Sequence, residues 1–295
     1  MTDRLVRGDH DGGGLGDRSE PAPPAPFKAS ARDRFVPIAV SAVSTIVVVV
    51  GVVLWVGSSE QWPRVQQQFF SGSAMVDAFP DVLDGFLLNM RIWLIAGVII
   101  LFLSLLIAVM RSLTGPVFAP LRFFAVVFID FFRGVPSLLL VILFGFGVPA
   151  LQLPGLPTGA LFWGTVALVT GYSAYTAEVY RAGMVSVHDG QRAAAIALGL
   201  NQGQTLRFAV IPQAIRNVLP ALLNGAVSLQ KDVALLSIIG VRDAVREAQI
   251  IKDRTFNYSS LIVAAILFLI VSIPLARYTD RYARKDAERR LQRTA

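Results

Sequence analysis

Long apolar runs separated by short polar breaks set the pattern of this chain. Blocks about 20 residues long match the length of a helix that crosses a hydrocarbon core of roughly 30 Å. They predict spans over residues 36–56, 85–110, 123–148, 160–180, 211–239 and 259–276. The third block is interrupted by Gly134-Val135-Pro136, and the fifth carries Pro212 and Pro220 near its start. The expected fold class is an all-α polytopic membrane protein with about six transmembrane helices. The valine-rich block at 35–57 is too long for the core of a signal peptide and its leader is too long. It therefore reads as a retained N-terminal anchor.

The remaining segments are polar. Residues 1–34 hold Gly12-Gly13-Gly14 and Pro21-Ala22-Pro23-Pro24-Ala25-Pro26. They offer too little apolar surface to offset the entropy of ordering, so a disordered tail is expected. Residues 58–84 read as an extracytoplasmic loop, with Trp62, Phe69 and Phe70 as interface anchors. Residues 85–280 form the main transmembrane domain, and 281–295 a basic tail.

Lysine and arginine bias orients the chain. With the N-terminus inside, the inner segments carry 19 Lys/Arg and the outer loops 5. Both termini are then cytoplasmic, and so is the connection between the fourth and fifth spans. The formal charge of +7 is concentrated at the chain ends and in particular loops, so it gives no reason to expect a nucleic-acid partner. The chain has 0 Cys and 2 His, His10 and His188, far apart in sequence. That composition argues against thiol chemistry and against a metal site.

The connection at 189–206 is an alanine-rich polar segment lodged between apolar blocks. It reads Gly190-Gln191-Arg192-Ala193-Ala194-Ala195-Ile196-Ala197-Leu198-Gly199. Alanines form helix readily, and Gly199 suits a left-handed terminus. One reading is an ordinary link between two spans. The other is a docking helix, whose small residues admit a second protein closely.

Charged side chains inside the apolar blocks are costly and usually face a cavity or a partner. Asp130 and Arg133 lie three residues apart, as do Glu178 and Arg181, so pairing across one helical turn is one reading of each. The other is a substrate pathway in which Arg133, beside Gly134 and Pro136, offers its guanidinium to a carboxylate. Lys231-Asp232 reads equally as a gate-region ion pair between subunits or as a contact to a zwitterionic substrate. Asn89 and Arg91 are lesser candidates at the outer end of the second span.

Four motifs carry a resemblance that these patterns alone do not supply. The 190–199 segment followed by Ile211-Pro212-Gln213-Ala214 resembles the EAA loop of ATP-binding-cassette importer permeases, in the polar amino-acid branch. Phe132-Arg133-Gly134-Val135-Pro136, Tyr175-Thr176-Ala177-Glu178-Val179-Tyr180-Arg181 and Lys231-Asp232-Val233-Ala234-Leu235 resemble further motifs of that family. The diagnostic glutamate of the loop is Ala193 here, and Asp189 is a nearby alternative charge.

The resemblance implies five spans forming a type I importer permease core, with a cytoplasmic coupling helix. Coupling residues would be Gly190, Gln191, Ala194, Ala195 and Gly199, and the substrate pathway would use Arg133, Glu178, Lys231 and Asp232. It further implies a bacterial plasma membrane, a separate ATPase dimer holding ATP-Mg, an extracytoplasmic solute-binding protein and a second permease subunit. The chain itself would perform no catalysis and bind no cofactor. A Walker A loop needs Gly-Lys-Ser/Thr, and Lys28, Lys231, Lys252 and Lys285 follow Phe, Gln, Ile and Arg. The competing expectation is an ion-coupled secondary transporter or channel using Arg133, Glu178 and Asp232.

Overall fold

The computed structural model describes residues 31–294, with side chains over 39–288. The disorder expected at 1–34 therefore lies outside the described residues, except that 31–34 already belong to α1 (Ala31–Gly57). The chain divides into two units, residues 1–62 and 63–295. In the first, α1 exposes its valines from Val40 to Val56. Thr45 Oγ1 donates to the Ser41 carbonyl at 2.7 Å, so this hydroxyl is satisfied within the span.

The second unit opens within α2 (Trp62–Phe69), of which only Trp62 falls in the first, and continues with α3 (Gly72–Ser112), 41 residues long. This corrects the loop expected at 58–84, most of which is helical. Ala78, Val82, Gly85, Phe86 and Asn89 fall at helical spacing and are buried. Asp77, Asp81 and Asp84 occupy an exposed face beside it. Those carboxylates and Pro80 are what make the segment look like a loop in sequence.

After a tight turn at Gly115, α4 (Ala119–Gly134) leads to α5 (Ser137–Ile142), which passes through a π-turn (Leu143–Gly147) into the short α6 (Val148–Ala150). The axis bends by 102° at the break between Gly134 and Ser137. The single span expected at 123–148 is thus two pieces. Pro136 disfavours helical geometry in the residue before it, and Val135 is extended at φ −98°, ψ 130°.

Next come α7 (Ala160–Val185), α8 (Asp189–Ala197), α9 (Gln202–Gln204) and a π-turn (Thr205–Val210). The fifth apolar block forms α10 (Ile211–Asp232), tightened into a 3-10 turn over Val233–Ile239. The segment that follows, expected as an outer loop, folds into α11 (Ala244–Thr255). Finally α12 (Ser259–Thr294) continues from the last span into the basic tail as one helix that contains Pro274.

Among the described residues the secondary structure is helical, with no strand. Four helices are long and apolar enough to cross a membrane, or five if the bent pair is one span. With 26 residues α7 has the length to span, yet it is less apolar. Its place explains this: it packs against α3, α4, α5 and α10, and buries Gly164, Gly171, Ser173 and Ala174 against protein instead of lipid. The core is layered along the bundle. Val82, Phe86, Ala244 and Val263 form one end, Ile100, Leu140, Leu168 and Leu236 the middle, and Ile107, Ile129, Tyr180 and Val210 the other end.

Candidate functional site

The alanine-rich segment is a capped, two-part helical element at one end of the bundle. His188 Nδ1 accepts from the Gly190 N–H at 3.0 Å and caps the start of α8. At the other end Gly199 adopts φ 84°, the left-handed conformation the sequence suggests. The Gly199 N–H donates to the Ile196 carbonyl at 2.9 Å and the Leu200 N–H to the Ala195 carbonyl at 3.1 Å. This is the Schellman arrangement, and it stops the helix sharply. A capping box between Asn201 and Gln204 then starts α9.

Hydrogen bonds fasten this element to three parts of the bundle. Arg192 donates to the Met184 carbonyl near the end of α7 at 2.7 Å. Gln213 of α10 donates to the Gln191 side chain at 3.2 Å. Gln202 Nε2 donates to Thr114 Oγ1, just after α3, at 2.6 Å. Of the five expected coupling residues, Ala195 is buried against the bundle, while Gly190, Gln191, Ala194 and Gly199 are exposed. Ala193 is exposed too.

The sequence reading missed two members of this surface, Ile196 and Leu198, which are 62% and 83% exposed. Their signal was present, since large aliphatic residues in a polar connection have no obvious core to enter.

The charged residues inside the spans divide into separate arrangements. Glu178 is held by two arginines, Arg111 from α3 on one carboxylate oxygen and Arg181 on the other, the latter at 2.9 Å. The local pair expected at Glu178–Arg181 forms, and an inter-helix pair to Arg111 that sequence spacing does not reveal joins it. Three oriented charges thereby tie α3 to α7.

Arg133 does not pair with Asp130 among the described residues. Its guanidinium lies 5.6 Å from the Tyr175 ring centroid, and Tyr175 Oη donates to the Arg133 carbonyl at 3.2 Å. This stacking holds the arginine at the broken end of α4 while leaving it exposed on this chain. Nor do Lys231 and Asp232 pair with each other. Asp232 accepts from Tyr172 Oη at 2.7 Å, and Lys231 is exposed. Adjacent helical residues point in different directions, so neighbours in sequence need not meet.

Asn89 is fully buried with Asp243 at the far end of the bundle, where it joins α3 to α11. Among the described residues no group of three or more His, Cys, Asp or Glu is placed to hold a metal ion.

Residues 112–285 match the family described as binding-protein-dependent transport system inner membrane component. The chain is 30% identical over 221 residues to the arginine transport system permease protein ArtQ of Bacillus subtilis (strain 168), covering 75% of this chain and 96% of that one. It is 33% identical over 207 residues to the probable glutamine ABC transporter permease protein GlnM of the same organism, covering 69% and 92%. The glutamate/aspartate import permease protein GltK of Escherichia coli O157:H7 is 30% identical over 224 residues, with 74% and 99% covered. Among solved structures, an amino acid ABC transporter crystallised with histidines aligns with TM-score 0.64 at 30% identity, covering 73% of this chain and 98% of that one. An inward-facing MetNI methionine ABC transporter aligns with TM-score 0.57 at 17% identity, covering 70% and 95%, and so shares the fold.

Proposed function

Because this chain belongs to the family of binding-protein-dependent transport system inner membrane components, we propose that it forms the membrane pathway of an ATP-driven importer of polar amino acids. It is a membrane protein, and the energy source lies on other subunits. In this reading a separate ATPase dimer carries ATP-Mg, a second permease subunit completes the pathway, and an extracytoplasmic solute-binding protein delivers substrate. The setting is a bacterial plasma membrane with both termini cytoplasmic, as the lysine and arginine bias supports.

The observation that carries the reading is the construction of residues 189–206. A helix capped at both ends, α8, presents small and apolar residues outward and is hydrogen-bonded to α7 and α10, and α9 behind it is hydrogen-bonded to the turn after α3. A push on its outer face reaches three parts of the bundle at once. Closure of the ATPase on ATP moves this element and opens the pathway outward, and hydrolysis resets it.

Arg133 is the strongest pathway candidate, since Tyr175 orients its guanidinium toward an exposed side of the chain where a substrate carboxylate can be met. Glu178 acts in this scheme as the anchor between α3 and α7, and Asp232 with Tyr172 as a gate-region pair. Lys231 remains available to a second subunit or to the substrate.

The test is Gly199→Asp in the assembled complex, reconstituted with its ATPase and binding protein. A branched side chain at φ 84° disrupts the helix stop, so ATP hydrolysis should persist while amino-acid uptake falls. Normal coupled uptake in that variant would sink the coupling role. An ion-coupled transporter predicts instead that the purified chain alone carries out gradient-driven, vanadate-insensitive uptake.

A further inference from the structure

One face of α12 changes character abruptly along its length. Ile266, Leu269, Ile270 and Ile273 are exposed at helical spacing, an apolar stripe suited to lipid tails. The same face continues as Arg277, Arg281 and Arg284, with Lys285 beside them, all exposed. Thr279 lies on the opposite face, is fully buried, and returns its hydroxyl to the Leu275 carbonyl at 3.0 Å. The cations therefore point away from the bundle.

Helix geometry sets their depth. With a rise of about 1.5 Å per residue, Arg281 lies roughly 6 Å and Lys285 roughly 12 Å beyond Arg277. Bilayer headgroup layers are roughly 5–8 Å thick on each side of the hydrocarbon. If Arg277 marks the end of the apolar stripe, Arg277 and Arg281 lie in the headgroup layer, and Arg284 and Lys285 sit just beyond it. Tyr278, also exposed, places an amphipathic ring at the same level.

We propose that this face of α12 binds the phosphates of anionic lipids in the adjoining leaflet. Three observations select that occupant. The basic stripe continues the lipid-facing stripe on one continuous helix, whose Pro274 lies between the two stripes. Residues 277–295 carry seven Lys/Arg against three Asp/Glu, a surplus matched by an anionic surface. A second copy of the chain seated on the same face would bring like charges together. Asp280 and Glu288, exposed on the same helix, limit the attraction locally and make it a preference among lipids and not a general anchor. The surface exists whatever solute the chain carries, so it stands apart from the transport reading.

Each cation near an anionic surface is worth roughly a fivefold preference. The experiment uses the purified full chain in neutral detergent, with added phosphatidylglycerol, phosphatidylcholine or inorganic phosphate. Retained lipid is measured by mass spectrometry after washing, beside thermal unfolding. Phosphatidylglycerol should be retained over phosphatidylcholine and should raise the unfolding temperature. A variant carrying Arg277→Gln, Arg281→Gln, Arg284→Gln and Lys285→Gln should lose the enrichment by roughly tenfold or more. Glutamine keeps helix propensity, so the helix itself is preserved. The matching Arg→Lys variant should retain the enrichment. Equal phosphatidylglycerol retention by the Gln variant overturns the proposal, as does an equal response of the native chain to inorganic phosphate.

Discussion

Asn89 and Asp243, 154 residues apart in sequence, share a buried hydrogen bond of 3.1 Å from Asn89 Nδ2 to Asp243 Oδ2. The Asn89 Oδ1 in turn accepts the Ala244 N–H at 3.1 Å, and Asp243 Oδ1 caps α11 by accepting from the Arg246 N–H at 2.9 Å. Asn89 thus satisfies both a side chain and a backbone group of the segment that follows α10. One turn earlier on α3, Gly85 lets that backbone approach. This joint locks α11 onto α3, the longest helix among the described residues.

Gly85→Ala should destabilise the protein clearly. A Cβ there would lie 2.5 Å from the Asp243 carbonyl carbon and 2.6 Å from the Ala244 nitrogen, both backbone atoms that cannot rotate away. Overpacking of this kind costs about 1–3 kcal/mol. On the same helix Gly97→Ala is the control, because its nearest neighbour would be Leu229 Cδ2 at 3.9 Å. There the gain in helix propensity, about 0.5–1 kcal/mol, should dominate. Thermal unfolding in one detergent should move the two variants in opposite directions, and a shared direction would refute the close-approach argument.

Asp243 should make stability depend on pH. Burial pushes its carboxyl up to about 6, against the opposing effect of the hydrogen bonds it accepts. The folded state then holds the proton more tightly than the unfolded chain between about pH 4 and 6. The associated stabilisation is fully present below about pH 4, declines as pH rises, and is gone above about pH 6. A shift of that size corresponds to something on the order of 2–3 kcal/mol. Unfolding midpoints measured from pH 4 to 7.5 should show the decline in the native chain, and Asp243→Asn should flatten it. An unchanged slope in that variant would assign the pH dependence to other groups.

Apolar periodicity made the helical class and most spans legible, because a bilayer demands long uninterrupted apolar segments. It failed where protein, not lipid, sets the rule. Residues 72–84 looked like loop because Asp77, Asp81 and Asp84 line the face that helix packing leaves open. The 102° bend could be suspected at Pro136, but its angle depends on what α5 packs against. In the site, Gly199 was readable from local conformation alone. The partners of Glu178 and Asp232 were not, because Arg111 and Tyr172 come from distant segments and no sequence interval records that proximity.

Glu178 is expected to behave as a structural anchor. Its side chain is 16% exposed and that of Arg111 is 27% exposed, so solvent screens the pair only partly. Removing the carboxylate leaves Arg111 and Arg181 facing each other across a low-dielectric gap. Glu178→Gln should therefore cost about 1–3 kcal/mol, below the range for fully buried pairs. A double-mutant cycle with Arg111→Gln should return a coupling of about 0.5–3 kcal/mol. A substrate ligand would behave differently, with stability unchanged and the apparent KM for uptake raised. That second pattern would return Glu178 to the pathway.

On the proposed docking surface of α8, two chemistries can be compared at neighbouring positions. Ala193 leaves no carboxylate, and restoring one by Ala193→Glu adds at most an exposed ion pair, worth about 0–1 kcal/mol. Leu198, at 83% exposure, has nearly all its side chain available to an apolar groove. Burying such a side chain is worth about 1.5–3 kcal/mol, so the aliphatic contact should outweigh the charged one. Leu198→Ala should weaken association with the ATPase roughly tenfold or more by this measure. It should leave the chain folded, because the Leu198 side chain is 83% exposed and packs little against the bundle. Ala193→Glu should change affinity by no more than about fivefold. Titration of the purified permease with its ATPase, read as Kd for the three chains, decides the matter. A larger effect of Ala193→Glu than of Leu198→Ala would mean that the partner groove is built for charge, and that the apolar edge of α8 faces something else.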